Sequence, residues 1–252
     1  MVSVDIIEMD AQYIHTKVLK KLNNNSFYVT FVYGFNKIED KASLWQNLIR
    51  LNVQDPWIVM GDFNAVMYAN ERLGGLVKDE EMVPFQDTVA ECDLQDLKSY
   101  GAFFTWNNKQ PSDTRVFSRI DRALVNDSWL NVWTEFYATF TVEGEFDHCP
   151  CIISSARSLE FQKKPFKFFN MWCRAPEYHQ VVQHNWNINV YGTAMFRVVK
   201  RLKLIKPSLK NLNGSLFSDI ERNTDVSYKV MIHTQQELQK DPYNKQLMDI
   251  ER

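Results

Sequence analysis

The stretch WIVMGDFNAV, Trp57 to Val66, runs apolar for four residues and then meets Gly61, Asp62, Phe63 and Asn64. Trp57 to Met60 follows Pro56, which stops a helix, and its short apolar run fits a buried strand. Side chains at i and i+2 of a strand point to the same face. Asp62 and Asn64 therefore project together, and a rigid apolar strand delivers a carboxylate and a carboxamide to an open sheet edge. Taken alone, the residues also fit a Gly-Asp turn in which Asn64 satisfies backbone groups. What surrounds the stretch decides between the two.

Upstream, FYVTFVYGF from Phe27 to Phe35 is aromatic and β-branched and bounded by asparagines, which predicts a strand. Lys41 to Leu51 spaces Leu44, Trp45, Leu48 and Leu51 along one helical face. Strand, helix and strand, with a crossover too long for a hairpin, point to an α/β or layered α+β core. A second helix is expected over about Val83 to Leu97, ended by Gly101. GAFFTWNN and RVFSRIDRALV read as two strands around the turn-rich Lys109 to Asp113, and the core is expected to close at Glu143 to Pro150. Beyond Ser154, Met195, Val198, Val199, Leu202, Ile205, Leu209 and Leu212 recur every three or four residues among Arg197, Lys200, Arg201, Lys203, Lys206 and Lys210. That spacing predicts an amphipathic basic helix, kinked or restarted at Pro207, with a polar helix from about Ser227 to Lys240 after it.

The 252 residues, 45% apolar and 24% charged, are enough for one or two globular domains with a real core. No apolar run is long enough for a membrane span, and MVSVDIIEMD has neither a basic nor an apolar leader region, so an intracellular protein, nuclear or cytoplasmic, is expected. Cys92, Cys149, Cys151 and Cys173 form no CxxC pair and read as free thiols. Residues 1–150 hold 13 Lys and Arg against 22 Asp and Glu, net -9; the remainder holds 16 against 9, net +7. The basic half is a candidate for contact with a polyanion, or equally a solvated helical face.

Two further segments carry chemistry. Asp121 lies among Ile120, Ala123 and Leu124 on an expected strand, and Asp147-His148 pairs a carboxylate with a histidine in a turn-like segment ended by Pro150. Histidine is suited to proton transfer near neutral pH, and a carboxylate behind it fixes its tautomer.

The ordered set Gly61-Asp62-Phe63-Asn64, Arg119-Ile120-Asp121-Arg122 and Asp147-His148-Cys149-Pro150 resembles the endonuclease/exonuclease/phosphatase superfamily, metal-dependent phosphodiesterases. PWIVMGDFNAV, ERLGG, GAFFTWNN, SRIDRALVN and DHCP look more narrowly like the endonuclease region of plant LINE-type retrotransposon polyproteins. PFKFFNMWC and the basic helix resemble the connector before the reverse transcriptase there. The resemblance implies an α+β four-layer sandwich of two packed β-sheets flanked by helices over residues 1–156, followed by a mostly helical, basic extension over 157–252. It implies that Asp62 and Asn64 orient the attacking water, that Asp147 and His148 sit with them at the metal and the scissile phosphate, and that Asp121 supports His148. Tyr33 would touch the phosphate and Thr105 would lie near the DNA backbone. Apart from the resemblance, the basic face of the expected helix makes Arg197, Lys200, Arg201 and Lys203 candidates for contact with nucleic acid. The implied cofactor is Mg²⁺ or Mn²⁺, the partner is DNA rather than a membrane, and the parent context is a polyprotein with reverse transcriptase.

Two departures shape the expected function. The superfamily's asparagine and metal-binding glutamate strands precede the tyrosine, yet the 32 residues before Tyr33 contain neither motif, Glu8 being the nearest acid. The chain therefore reads as lacking the first strands of the nuclease. Phe146 stands where the family usually has serine. The leading expectation is a retrotransposon-derived, endonuclease-like protein whose parent reaction is Mg²⁺-dependent DNA nicking, whose own activity the missing glutamate segment puts in doubt, and whose metal is weakly held. The alternatives are a phosphatase for small phosphoesters and a non-catalytic nucleic-acid-binding remnant.

Overall fold

The apolar run at Trp57 becomes a central strand, flanked on both sides by hydrogen-bonded neighbours. The computed structural model describes residues 2–21, 25–155 and 166–251. Its strands are β1 (Val2–Met9), β2 (Tyr13–Lys20), β3 (Asn25–Tyr33), β4 (Trp57–Asp62), β5 (Arg72–Leu73) and β6 (Leu94–Asp96). They continue as β7 (Ser99–Gly101), β8 (Trp106–Asn107), β9 (Phe117–Ser118), β10 (Asp121–Asn126), β11 (Phe136–Phe140) and β12 (Cys151–Ser155). The helices are α1 (Ala42–Leu51), α2 (Asp79–Glu91), α3 (Asp127–Val132), α4 (Tyr178–Trp186), α5 (Ala194–Leu216), α6 (Ser218–Lys240) and α7 (Lys245–Glu251).

Six strands form the main sheet in the order β1-β2-β3-β4-β10-β6, antiparallel except where β3 and β4 run parallel around α1. β4 and β10 are apolar because both of their faces are covered. On one face Leu44, Trp45 and Leu48 of α1 and Phe85 of α2 pack with Trp57, Val59 and Leu124. On the other, Ile58, Ala123 and Val125 meet Ala138 and Phe140 of the second sheet, β12-β11-β7. A third, small sheet joins β5, β9 and β8. This is a mixed α+β architecture of packed sheets flanked by helices, with a helical C-terminal part, as the sequence implied.

The details differ from expectation in several places. α2 starts at Asp79, not Val83, because Asp79, Glu80 and Glu81 favour the positive end of a helix; it stops at Glu91, and Leu94–Asp96 pairs with β10 as a strand. RVFSRIDRALV is broken into β9 and β10, with the Ile120 carbonyl between them accepting the Phe63 amide at 2.9 Å. Pro207 lies inside α5 without ending it: Ile205, Leu209 and Leu212 are buried with Trp172 and Ala175, anchoring the helix on both sides of the proline.

The chain divides into two compact units, Met1–Ser158 with Met231–Arg252, and Leu159–Val230. A boundary at residue 157 leaves the last 22 residues with the extension, whereas here they pack on the first unit. Leu238 and Met248 bury with Phe104 and Phe117. Gln235 brackets Gly144, accepting its amide at 2.9 Å and donating to its carbonyl at 2.8 Å. Glu251, almost fully buried, pairs with Lys109 and with Arg115 at 2.8 Å. No described helix is long and apolar enough to cross a membrane. Leu238→Ala leaves a void under Phe104 and Phe117, and urea unfolding is expected to show a loss of roughly 2–4 kcal/mol.

Candidate active site

The register of two strands builds the site. β4 and β10 pair antiparallel with Asp62 opposite Asp121, and such partners on one face hold their Cβ atoms about 5 Å apart. Asp62 arrives at this position because Gly61 tolerates a φ of +138°; a Cβ there would lie 2.1 Å from the Val32 carbonyl oxygen, so only glycine fits. Asn64 has a φ of +48°, a left-handed conformation that asparagine accepts more readily than most residues. That turn folds its amide back: the backbone N–H donates to Asp62 Oδ1 at 2.8 Å, and Nδ2 donates to Asp62 Oδ2 at 3.2 Å and to the Gly34 carbonyl at 2.9 Å. With Nδ2 committed twice, Oδ1 is the part of the carboxamide left to receive a hydrogen bond.

Asp121 is fixed from behind. Thr105 Oγ1 accepts the Asp121 amide at 2.9 Å and the Ile120 amide at 3.1 Å. His148 enters from the loop before β12, where the Thr105 carbonyl accepts the Cys149 amide at 2.7 Å. Its Nδ1 donates to Asp121, 3.0 and 3.2 Å from the two carboxylate oxygens, while Nε2 stands 3.9 Å from Asp62 Oδ2. Trp106 tilts beside the imidazole with ring centroids 6.5 Å apart.

Asp62, Asp121 and His148 each offer a ligand atom, all within 4.8 Å of one another. Two carboxylates and an imidazole in that space suit a divalent cation. The electrostatics agree. Burial pushes the Asp62 carboxyl up to about 6, and Asp121 pushes the same way, against the Asn64 hydrogen bond, His148 and Lys41. The hydrogen bond it donates to Asp121 raises the His148 imidazole above its ordinary value, against the effect of burial. A buried carboxylate with so little counter-charge is an arrangement that a cation relieves.

The sequence-expected residues separate into two groups. Asp62, Asn64, Asp121 and His148 converge. Tyr33 ends β3 in register with Asp62, yet its side chain is 67% exposed. Asp147 stands outside the cluster: its carboxylate is exposed and accepts the Trp106 indole N–H at 3.2 Å. Thr105, expected beside DNA, is wholly buried and serves Asp121 instead. Glu8 is held by Arg50 and by the Tyr13 hydroxyl at 2.5 Å, Arg50 drawing its carboxyl down to about 2. Among the described residues no glutamate joins the cluster. Phe146 is exposed and offers no donor. The helical cations Arg197, Lys200, Arg201 and Lys203 belong to the other unit.

Lys41 is the group that sequence reasoning overlooked. Its side chain is buried at the start of α1, donates to the Asn64 carbonyl and, after His148, lowers the Asp62 carboxyl by its charge. It also lines a 260 Å³ cavity next to Asn64, with Arg72, Trp106, Ser118 and Ile120. Only its place just before the apolar face of α1 hinted at burial.

No protein-family model matches the sequence, and no curated protein matches it. Among solved structures the fold is similar to the endonuclease domain of TRAS1, a telomere-specific non-LTR retrotransposon, at 14% identity and a TM-score of 0.47, covering 62% of this chain and 69% of that one. It is also similar to the 3′ phosphatase NExo from Neisseria bound to a product DNA hairpin, at 16% identity and 0.41, covering 61% and 70%. A third is beta toxin from Staphylococcus aureus with bound magnesium ions, at 13% identity and 0.40, where the chain spans 57% of the toxin's length.

The raised Asp62 carboxyl has a stability consequence. Native protein binds this proton up to about pH 6 while the unfolded chain releases it near 4, so metal-free stability falls as pH rises through that window. The His148–Asp121 pair acts in the same direction, since its stabilisation is lost as the imidazole deprotonates. In EDTA at pH 8, Asp62→Asn is expected to unfold at higher urea than the parent, by roughly 1–3 kcal/mol, with the gap closing below about pH 4.

Proposed function

We propose that the first unit is a divalent-metal-dependent phosphodiesterase that nicks DNA, of the endonuclease/exonuclease/phosphatase type and of LINE-retrotransposon descent. The observation that carries this reading is the convergence of Asp62, Asn64, Asp121 and His148, drawn from β4, β10 and the loop before β12, within a few ångströms. The ordered sequence motifs at the same residues support it.

Phosphodiester hydrolysis needs an oriented water, a base for its proton and partners for the charge that develops on phosphorus oxygens. Asp62 supplies the base: ionised above about pH 6, it takes the water proton as the water oxygen bonds to phosphorus and the P–O bond to the leaving 3′ oxygen breaks, that oxygen taking a proton from solvent. Asn64 Oδ1, left over when Nδ2 is committed, orients the same water. His148 keeps its second proton because Asp121 sits on Nδ1, so Nε2 presents an N–H to a phosphate oxygen. Asp62 and Asp121 would hold Mg²⁺ or Mn²⁺, which when bound offsets phosphate charge, while the protonated imidazole of His148 stays with the phosphate. Among the described residues no glutamate strengthens that set, so loose binding of the cation is part of the proposal. Lys41 is a positioning residue, fixing the Asn64 backbone.

Supercoiled plasmid incubated with the protein and Mg²⁺ or Mn²⁺ is expected to relax to open circles. EDTA abolishes the reaction, and Asp62→Ala or His148→Ala slows it at least about 100-fold. Absence of nicking by folded protein at millimolar metal would leave only a nucleic-acid-binding remnant; turnover of p-nitrophenyl phosphate without nicking would identify a phosphatase. Asp121→Asn removes the group that raises the His148 pKa, so the alkaline limb of the pH–rate profile is expected to move to lower pH.

A further inference from the structure

The second unit holds a surface that the hydrolytic site does not use. Between Glu177 and Asp219 the chain has no acidic residue, while α5 alone carries Arg197, Lys200, Arg201, Lys203, Lys206 and Lys210. Its first turns, residues 194–200, are exposed on every side. Three of these cations lie against aromatic rings: Lys200 over Phe196 at 6.0 Å, Arg201 over Trp186 at 5.6 Å and Lys206 over Phe166 at 5.1 Å. Tyr191, just before the helix, is 89% exposed, and Phe196 is half exposed.

The distribution of these residues narrows the partner. The segregated apolar stripe of α5, Ile205, Leu209 and Leu212, is already buried with Trp172 and Ala175. On the remaining arc Met195 and Val199 share their helical face with Lys203, Lys206 and Lys210 rather than standing apart from them. A helix that lies on a lipid surface needs its apolar and basic faces separated. Alternating cations and flat rings instead match a polymer that alternates phosphates with unstacked bases. Duplex DNA hides its base faces and would engage only the cations.

We propose that the second unit binds single-stranded nucleic acid, with Arg197, Lys200 and Lys203 on phosphates and Tyr191 and Phe196 stacking on bases. The charge balance gives the surface a purpose: the first 150 residues carry a net -9 and repel a polyanion, so the attraction comes from this unit.

The test is fluorescence anisotropy of the full-length chain in EDTA, where the hydrolytic site is silent, with a labelled 20-nucleotide single-stranded DNA and the duplex of the same sequence. The single strand is expected to bind at least about fivefold more tightly than the duplex, as base stacking is worth roughly 1–3 kcal/mol per base. The triple variant Arg197→Ala, Lys200→Ala, Lys203→Ala should flatten the slope of log affinity against log salt by about two. Tyr191→Ala with Phe196→Ala should weaken single-strand binding about tenfold while leaving that slope and the duplex affinity unchanged. Circular dichroism checks that these exposed substitutions leave the helices intact. Equal affinity for strand and duplex, insensitivity to both variants, or binding to anionic lipid vesicles in place of the strand would overturn the proposal.

Discussion

The pairing of β4 with β10 is the constraint on which the rest of the first unit depends. It sets two like charges side by side at the end of a covered sheet, an arrangement that costs free energy unless something positive is brought to it. His148 is brought by the loop before β12 and Lys41 by the start of α1, yet burial, with Asp121 alongside, still leaves the Asp62 carboxyl raised. A one-residue slip between the strands would turn one carboxylate to the opposite face, so the apolar residues that fix the register also assemble the chemistry.

The same strand pair holds a second charged centre. Arg122, next to Asp121 and so on the opposite face, is fully buried; it pairs with Glu71 and with Asp96 at 2.7 Å and lies 5.8 Å from the Phe85 ring. Glu71 in turn accepts the Met67 and Tyr68 amides at 2.7 and 3.1 Å, shaping the turn after the Asn64 segment. Buried pairs of this kind add little net stability, but removing one partner strands the other. β10 thus carries a site on one face and a specifying ion cluster on the other.

Much of this was legible in the sequence because it is periodic or local. The apolar face of α1 and the β4 run follow from spacing alone, and the motif order brought in Asp121 and His148; Asn64 reaches Asp62 not by strand alternation but through the left-handed turn after β4. What was not legible depended on distant chain. Thr105 reads as a surface hydroxyl until the Ile120 and Asp121 amides are seen to point at it. Asp147 reads as a ligand until Trp106 captures it. Lys41 looks solvated because its acceptor, the Asn64 carbonyl, lies 23 residues away. Gln235 and Glu251 looked like part of a polar helical extension, and nothing local marks them as clamps on Gly144, Lys109 and Arg115.

Those clamps make the first unit discontinuous in sequence. The chain leaves it after Ser158 and returns at Met231, so the second unit is in effect an insertion within it. During synthesis the strands and the Asp121–His148 pair emerge well before the segment that covers Phe104 and Phe117 and pins Gly144. The nascent unit therefore waits with an apolar patch open until Met231 to Glu251 have left the ribosome, and the loop carrying His148 gains its final support only then.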